Sequence, residues 1–189
     1  MSIYQPAEDS YLLSETLKKY LNDKIKNKEI NQENQEFKIL DMGSGSGIQA
    51  ETCKRLGFNN IICADINSEA VNHLKKQGFK AVKTDLFLDI NPKTKFDLII
   101  FNPPYLPEHK YDKEKDTTGG KQGYETIINF LTQAKSHLNN KASILLLFSS
   151  LSQPRIIINK AKDYLGYKMK LLSSKNIFFE ELYVYEISL

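Results

Sequence analysis

Apolar positions along this chain follow two alternating periods. Leu13, Leu17 and Leu21 recur at helical spacing, with Asp9 or Ser10 placed to cap the segment. Residues 22–36 are rich in Asn, Lys, Gln and Glu and read as a polar connector or a frayed helix end. Beyond them, short apolar runs at residues 37–40, 60–64, 80–82, 96–101 and 143–148 predict five strands. Helical patterns fall between these runs. One covers residues 47–56. Another is opened by Asn67, carries Ala70, Val71 and Leu74, and is stopped by Gly78. A third shows a single apolar face of Ile127, Leu131, Ala134 and Leu138. Pro154 suits the first turn of a further helix that ends near Gly166. Residues 168–172 and 182–187 predict two closing strands with no helix between them, which therefore pair antiparallel. The repeated strand–helix units predict an α/β fold. Its seven-stranded sheet is mostly parallel, with helices on both faces and the last strand antiparallel.

Composition narrows the class. A chain of 189 residues suits one domain spanning 1–189, with residues 1–36 as its N-terminal helix and connector. Hydrophobic residues make up 41%, and no run reaches the length of a membrane span. Residues 1–6 hold no basic stretch followed by an apolar one, so no secretory signal is expected and the expected location is cytoplasmic. Cys53 and Cys63 lack metal-ligand spacing and read as buried, reduced thiols. His73, His109 and His137 show no metal spacing either and read as surface or helix residues. The net charge of +3 carries no concentrated basic patch of the kind nucleic-acid binding calls for.

The residues with chemical potential fall at strand ends. Asn102-Pro103-Pro104-Tyr105 follows the fourth strand, where two prolines fix φ and remove two backbone donors. Asn102 precedes a proline and is held extended. The segment reads either as a plain strand-ending turn or as a rigid ledge at the carboxyl end of a sheet, where open α/β folds bind ligands. Asp41 opens the loop after the first strand, and Gly43, Gly45 and Gly47 let a ligand approach its backbone closely. Ile48 stands where a dinucleotide fingerprint needs its third glycine. The carboxyl of Asp41, two residues before the first glycine, suits a cationic ligand better than a pyrophosphate. Asp65 ends the second strand, in the position of a carboxylate that accepts both ribose hydroxyls. Asp85 with Leu86 follows the third strand, placed to accept from an adenine amino group and to cover its ring.

On these residues the chain resembles the class I S-adenosylmethionine-dependent methyltransferases. Asp41 to Gly47 looks like their first motif, Asp65 like their ribose acid and Asp85-Leu86 like their adenine contact. Asn102-Pro103-Pro104-Tyr105 is similar to the motif of enzymes that methylate planar exocyclic nitrogens. More narrowly, the chain resembles the HemK-type protein-glutamine methyltransferases that modify the Gly-Gly-Gln loop of peptide chain release factors. The opening Tyr4-Gln5-Pro6-Ala7-Glu8-Asp9-Ser10 is similar to their short archaeal and eukaryotic branch, in which the residue matching Ser10 contacts the cofactor. Gly119-Gly120-Lys121-Gln122-Gly123 also resembles a glycine loop of that branch. The resemblance implies a Rossmann-like methyltransferase sheet, S-adenosyl-L-methionine as cofactor, and a release factor as substrate. It also implies a small zinc-binding activator subunit seated on the edge near the third strand, at residues 79–82. Asn102, Pro103, Pro104 and Tyr105 are then the catalytic set. Ser10, Asp41, Gly43, Gly45, Gly47, Asp65, Asp85, Leu86 and Asn102 are the cofactor set.

An amide nitrogen is a poor nucleophile, so the site must orient it. Asn102 can accept one N–H through its side-chain oxygen and the Pro103 carbonyl the other, while Tyr105 stacks on the planar group. The same ledge serves adenine N6 or guanine N2, which leaves a nucleic-acid methyltransferase as the alternative. Residues 106–122 read as a lid or substrate-contact loop, or as a solvated one. Tyr4 and Tyr183-Val184-Tyr185 read as packing residues.

Overall fold

The computed structural model describes residues 3–31, 36–107 and 119–189. Helix α1 (Glu8–Lys26) buries Leu13, Leu17 and Leu21 along one stripe, and its acidic first turn and basic last turn suit the helix dipole. It is followed by β1 (Ile39–Met42), α2 (Ile48–Arg55), β2 (Ile61–Asp65), α3 (Ser68–Lys76), β3 (Lys80–Lys83) and β4 (Phe96–Phe101). Then come α4 (Glu125–Ala134), β5 (Leu138–Ser149), α5 (Pro154–Asn159), β6 (Lys168–Ile177) and β7 (Glu180–Ser188). The strand order is β3-β2-β1-β4-β5-β7-β6, and among the described strands only β7 runs against its neighbours. Every apolar residue of β4 is buried, and they alternate in direction. Leu98 and Ile100 pack with α1 and α2, whereas Ile99 and Phe101 pack with α4 and α5. Both faces of the sheet are therefore covered by helices, as the alternating pattern predicts.

Asn67 caps α3 by accepting from the Glu69 N–H at 2.9 Å, and Gly78 takes positive φ just beyond the helix end. Pro154 sits in the first turn of α5. Three expectations need correction. Ala7, not Asp9 or Ser10, is the N-cap of α1, and no side chain caps that end. Leu138 begins β5 instead of closing α4, because a short turn at Lys135–His137 redirects the chain. β5, β6 and β7 run longer than their apolar cores, since β5 begins through Asn139-Asn140-Lys141 and the β6–β7 hairpin stays paired through the polar residues 173–176 and 180–181. The helix after Pro154 ends before Gly166 as expected, with α geometry to Asn159 and a wider turn over Lys160–Tyr164. Cys53 and Cys63 are free, buried thiols that burial pushes above their ordinary range. Among the described residues no helix is long and apolar enough to cross a membrane.

Candidate active site

A cavity of about 500 Å³ opens along the carboxyl ends of β1, β2, β3 and β4. Its floor is the turn after β1. Gly43 and Gly45 both take positive φ there, and a Cβ on Gly43 would press on the Phe101 ring at 3.1 Å. Asp65 closes the next strand and ties the two turns together. One carboxylate oxygen accepts the Gly45 N–H at 2.8 Å and the other the Asn67 N–H at 2.8 Å. Thr84 clamps the turn after β3 by donating to the Leu86 carbonyl at 3.1 Å and accepting from the Asp89 N–H at 3.0 Å. That clamp holds Leu86 at φ +50, a left-handed conformation costing a non-glycine residue roughly 1 kcal/mol. Leu86 faces the cavity and Asp85 stands exposed on its rim.

Two residues of the glycine-loop motif stand behind this wall. Asp41 and Gly47 do not line the cavity. Asp41 is buried and accepts the Ala50 N–H at 3.2 Å, which locks β1 to α2. Burial, aided by the charge of Asp65, raises its carboxyl from 3.8 to about 7. Gly47 starts α2 at φ +87 against α3, where a Cβ would lie 2.8 Å from Leu74 Cδ2. Gln49 was not anticipated from sequence. It lines the cavity, donates to the Ser10 carbonyl at 2.9 Å, and keeps its Oε1 buried without a partner among the described residues.

The opposite wall is Asn102 to Tyr105 with the start of α1. Asp9, buried in the first turn, organises it. Its Oδ2 accepts from Asn102 Nδ2 at 3.0 Å and more loosely from the Tyr105 hydroxyl at 3.5 Å, and its Oδ1 accepts the Ser10 N–H at 2.6 Å. The Tyr4 hydroxyl lies 3.2 Å from both oxygens. Burial raises the Tyr4 and Tyr105 phenols, and Asp9 adds to both shifts, so they serve as donors. With its amide nitrogen held by Asp9, Asn102 has a buried Oδ1 with no hydrogen-bond partner among the described residues. An orphaned buried acceptor costs about 1–3 kcal/mol, which a donor on a bound molecule would recover. Asp9 and Tyr4 were read from sequence as a cap and a packing residue. Their signal was the polar pair Asp9-Ser10 facing inward on an otherwise apolar stripe.

Glycine also shapes the outer side of the ledge. A Cβ on Gly119 would lie 2.6 Å from the Pro104 carbonyl, and one on Gly123 would lie 2.5 Å from the Tyr105 carbonyl. The Gly119 N–H donates to the Leu106 carbonyl at 2.8 Å, so the two ends of the 106–122 segment meet beside the ledge. Its central part, His109 included, lies outside the described residues. His137 is buried, not a surface residue. Its Nδ1 lies 2.8 Å from the Thr94 carbonyl and its ring stacks on Phe87. Among the described residues no group of three or more His, Cys, Asp or Glu side chains could hold a metal ion.

Residues 20–165 match the methyltransferase small domain family, and the chain belongs to it. A Methanocaldococcus jannaschii protein named as an N5-glutamine methyltransferase is 34% identical over 96% of this chain and 89% of its own length. Human methyltransferase HEMK2 is 29% identical over 85% of this chain and 78% of its own. Among solved structures, the Encephalitozoon cuniculi Mtq2–Trm112 complex, described as methylating the termination factor eRF1, superposes with a TM-score of 0.75. It is 26% identical and covers 99% of this chain and 98% of its counterpart. The chain is thus a class I methyltransferase of the HemK type, with the seven-stranded sheet expected of that class.

Proposed function

We propose that this methyltransferase uses S-adenosyl-L-methionine to methylate the side-chain amide nitrogen of the glutamine in a release factor's Gly-Gly-Gln loop. The observation that carries the reading is the orphaned Oδ1 of Asn102, held in place by Asp9. An amide or a ring amine presents an N–H donor that this acceptor lacks.

The cavity fits the cofactor. The glycine turn lets its backbone approach closely, Asp65 stands where ribose hydroxyls can donate, and Leu86 offers an apolar face for the adenine with Asp85 at its edge. The buried Oε1 of Gln49 and the carbonyl-rich glycine turn suit an ammonium group. Ser10, on the same wall, completes the boundary between the two substrates. When bound, S-adenosylmethionine supplies a methyl on a positively charged sulfur that leaves as a neutral thioether.

The residues of the chain do the orienting. Asn102 Oδ1 and the Pro103 carbonyl take the two N–H groups, which turns the nitrogen lone pair toward the methyl. Both acceptors strengthen as positive charge grows on nitrogen, so they favour the transition state over the ground state. Prolines 103 and 104 keep the ledge from reorganising, and Tyr105 packs on the plane of the amide. The nitrogen then sheds its extra proton to solvent. Positioning of this kind reaches effective molarities on the order of 10⁵ M or more.

The names of the relatives support a protein acceptor, and the Mtq2–Trm112 complex supports a small partner subunit. We place such an activator at residues 79–82, as the resemblance to the short branch implies, where β3 is an edge strand among the described residues. The decisive experiment incubates the chain, with and without a co-expressed activator, with purified release factor and labelled S-adenosylmethionine. Mass spectrometry should find one methyl on the glutamine. A methylated adenine or guanine in duplex DNA or structured RNA, with no label on the protein, would replace this reading with the nucleic-acid one.

A further inference from the structure

The hairpin joining β6 and β7 is longer than the sheet needs. β5 ends at Ser149, paired with Leu182, but β6 and β7 remain paired through Asn176 with Glu181 and Ile177 with Glu180. The tip therefore projects roughly 7 Å past the carboxyl edge of the sheet. The carboxyl edge is where the cavity opens. At the tip sit Phe178 and Phe179, 103% and 96% exposed. Phe178 adopts φ +37 in a tight turn that favours Gly, Asn or Asp. Neither ring stacks on another described aromatic ring, and neither belongs to either core cluster. Two large apolar side chains thus stand in solvent, the first of them in a left-handed conformation, which points to a functional surface.

The tip is anchored to the acceptor side of the cavity. Lys175 of β6 is ion-paired with Glu8 of α1, next to Asp9, and the Glu181 N–H donates to Ser150 Oγ at 3.0 Å. After burial and Asp9, Glu180 is a further contributor to the raised phenols of Tyr4 and Tyr105, so the residue following the tip lies within electrostatic reach of the ledge. A cavity of about 500 Å³ that holds a nucleoside cofactor leaves room for one side chain of the acceptor. The body of a macromolecular substrate must then rest on the rim.

Resting on the function proposed above, we propose that the Phe178-Phe179 tip is a docking surface for the polypeptide that presents the glutamine. Aromatic rings pack on flat, glycine-rich backbone and on apolar side chains at low entropic cost. The flanking carboxylates of Glu180 and Glu181 repel phosphate, which sets a polypeptide apart from a nucleic acid or an anionic membrane.

The test replaces Phe178-Phe179 with Asn-Gly, a pair suited to the turn, and in a second variant with Tyr-Tyr. Release-factor methylation is measured with and without a co-expressed activator, and S-adenosylmethionine binding by calorimetry. The Asn-Gly variant should raise KM for the release factor at least tenfold, with kcat within threefold and cofactor affinity unchanged. The Tyr-Tyr variant should keep KM within threefold of wild type. An unchanged KM in the Asn-Gly variant, or a fall in kcat at constant KM, overturns the docking role while the proposed function stands. Wild-type protein that self-associates in sedimentation, with the Asn-Gly variant monomeric, assigns the tip to a second copy and also overturns it. Absence of transfer to the release factor by wild type sinks the proposed function and the docking role together.

Discussion

The proposed cofactor side of the cavity is assembled from turns that directly follow β1, β2 and β3, whereas the proposed acceptor side needs Asp9, near the start of the chain, to meet Asn102, 93 residues later. The first side is made mostly of bonds within and between those turns, such as Asp65 to the Asn67 and Gly45 N–H groups, and Gln49 adds a contact from it to the Ser10 carbonyl of α1. The second exists only once α1 has docked on the sheet. A molecule built this way can lose its chemistry without losing its cofactor, and the reverse. The two sides should therefore fail separately under substitution.

The sharpest separation is expected at Asn102. Removing its side chain in Asn102→Ala deletes the orphaned acceptor, and loss of one preorganised transition-state contact costs about 10²–10³ in turnover. With the nucleophile misaligned as well, kcat should fall by about 10³ or more, while calorimetry finds cofactor affinity within threefold of wild type. Equal losses in both would merge the two sides into one. The mirror-image variant is Asp65→Ala. It removes a carboxylate that accepts two backbone N–H groups and stands where ribose hydroxyls would donate. Charged hydrogen bonds contribute about 1.5–3 kcal/mol each, so the dissociation constant for S-adenosylmethionine should rise about 10²-fold. At saturating cofactor kcat should stay within threefold.

Asp9→Asn tests the long-range contact itself. The substitution keeps size but removes a carboxylate that gathers donors from Asn102, Tyr4 and the Ser10 N–H. At least one buried donor loses its acceptor, at about 1–3 kcal/mol. The expected result is a fall in kcat of about 10–100-fold with cofactor affinity within threefold. A loss confined to thermal stability would reduce Asp9 to a fold residue.

How far each side was legible in the sequence follows the same division. The succession of strands and helices along the chain and the glycine turn could be read because helical and extended periods differ, and because Gly43 and Gly45 need positive φ wherever the loop folds. Asp9 was only half visible: the polar pair Asp9-Ser10 interrupts an apolar stripe, but local capping already explains an acidic residue at a helix start, and nothing local points to Asn102. Asp41 and Gly47 show the converse limit. The motif places them beside the cofactor, but a linear pattern does not distinguish a residue lining a cavity from one bracing its wall. The hairpin lengths escaped for a different reason. Past Leu172 the outer strand reads Ser-Ser-Lys-Asn, so no hydrophobic period marks where pairing stops.

The smallest expected effect, one on stability, and the finest probe of the wall behind the glycine turn, is the titration of Asp41. Its carboxyl is raised from 3.8 to about 7, chiefly by burial, with the charge of Asp65 adding to the shift and the Ala50 N–H opposing it. A group whose folded pKa lies above its unfolded value favours the fold in its protonated form. Its contribution is complete below about pH 4, is lost as pH rises toward 7, and is constant above. Asp41→Asn cannot titrate, so urea midpoints of wild type relative to this variant should fall between pH 4 and 7 and run parallel beyond. Asp65→Asn removes the neighbouring charge and should draw the upper end of that window to lower pH. Parallel curves across the whole range would mean that the Asp41 carboxyl is not isolated from water. The wall behind Gly43 and Gly45 would then be open, and the cofactor side less self-contained than its short-range bonds imply.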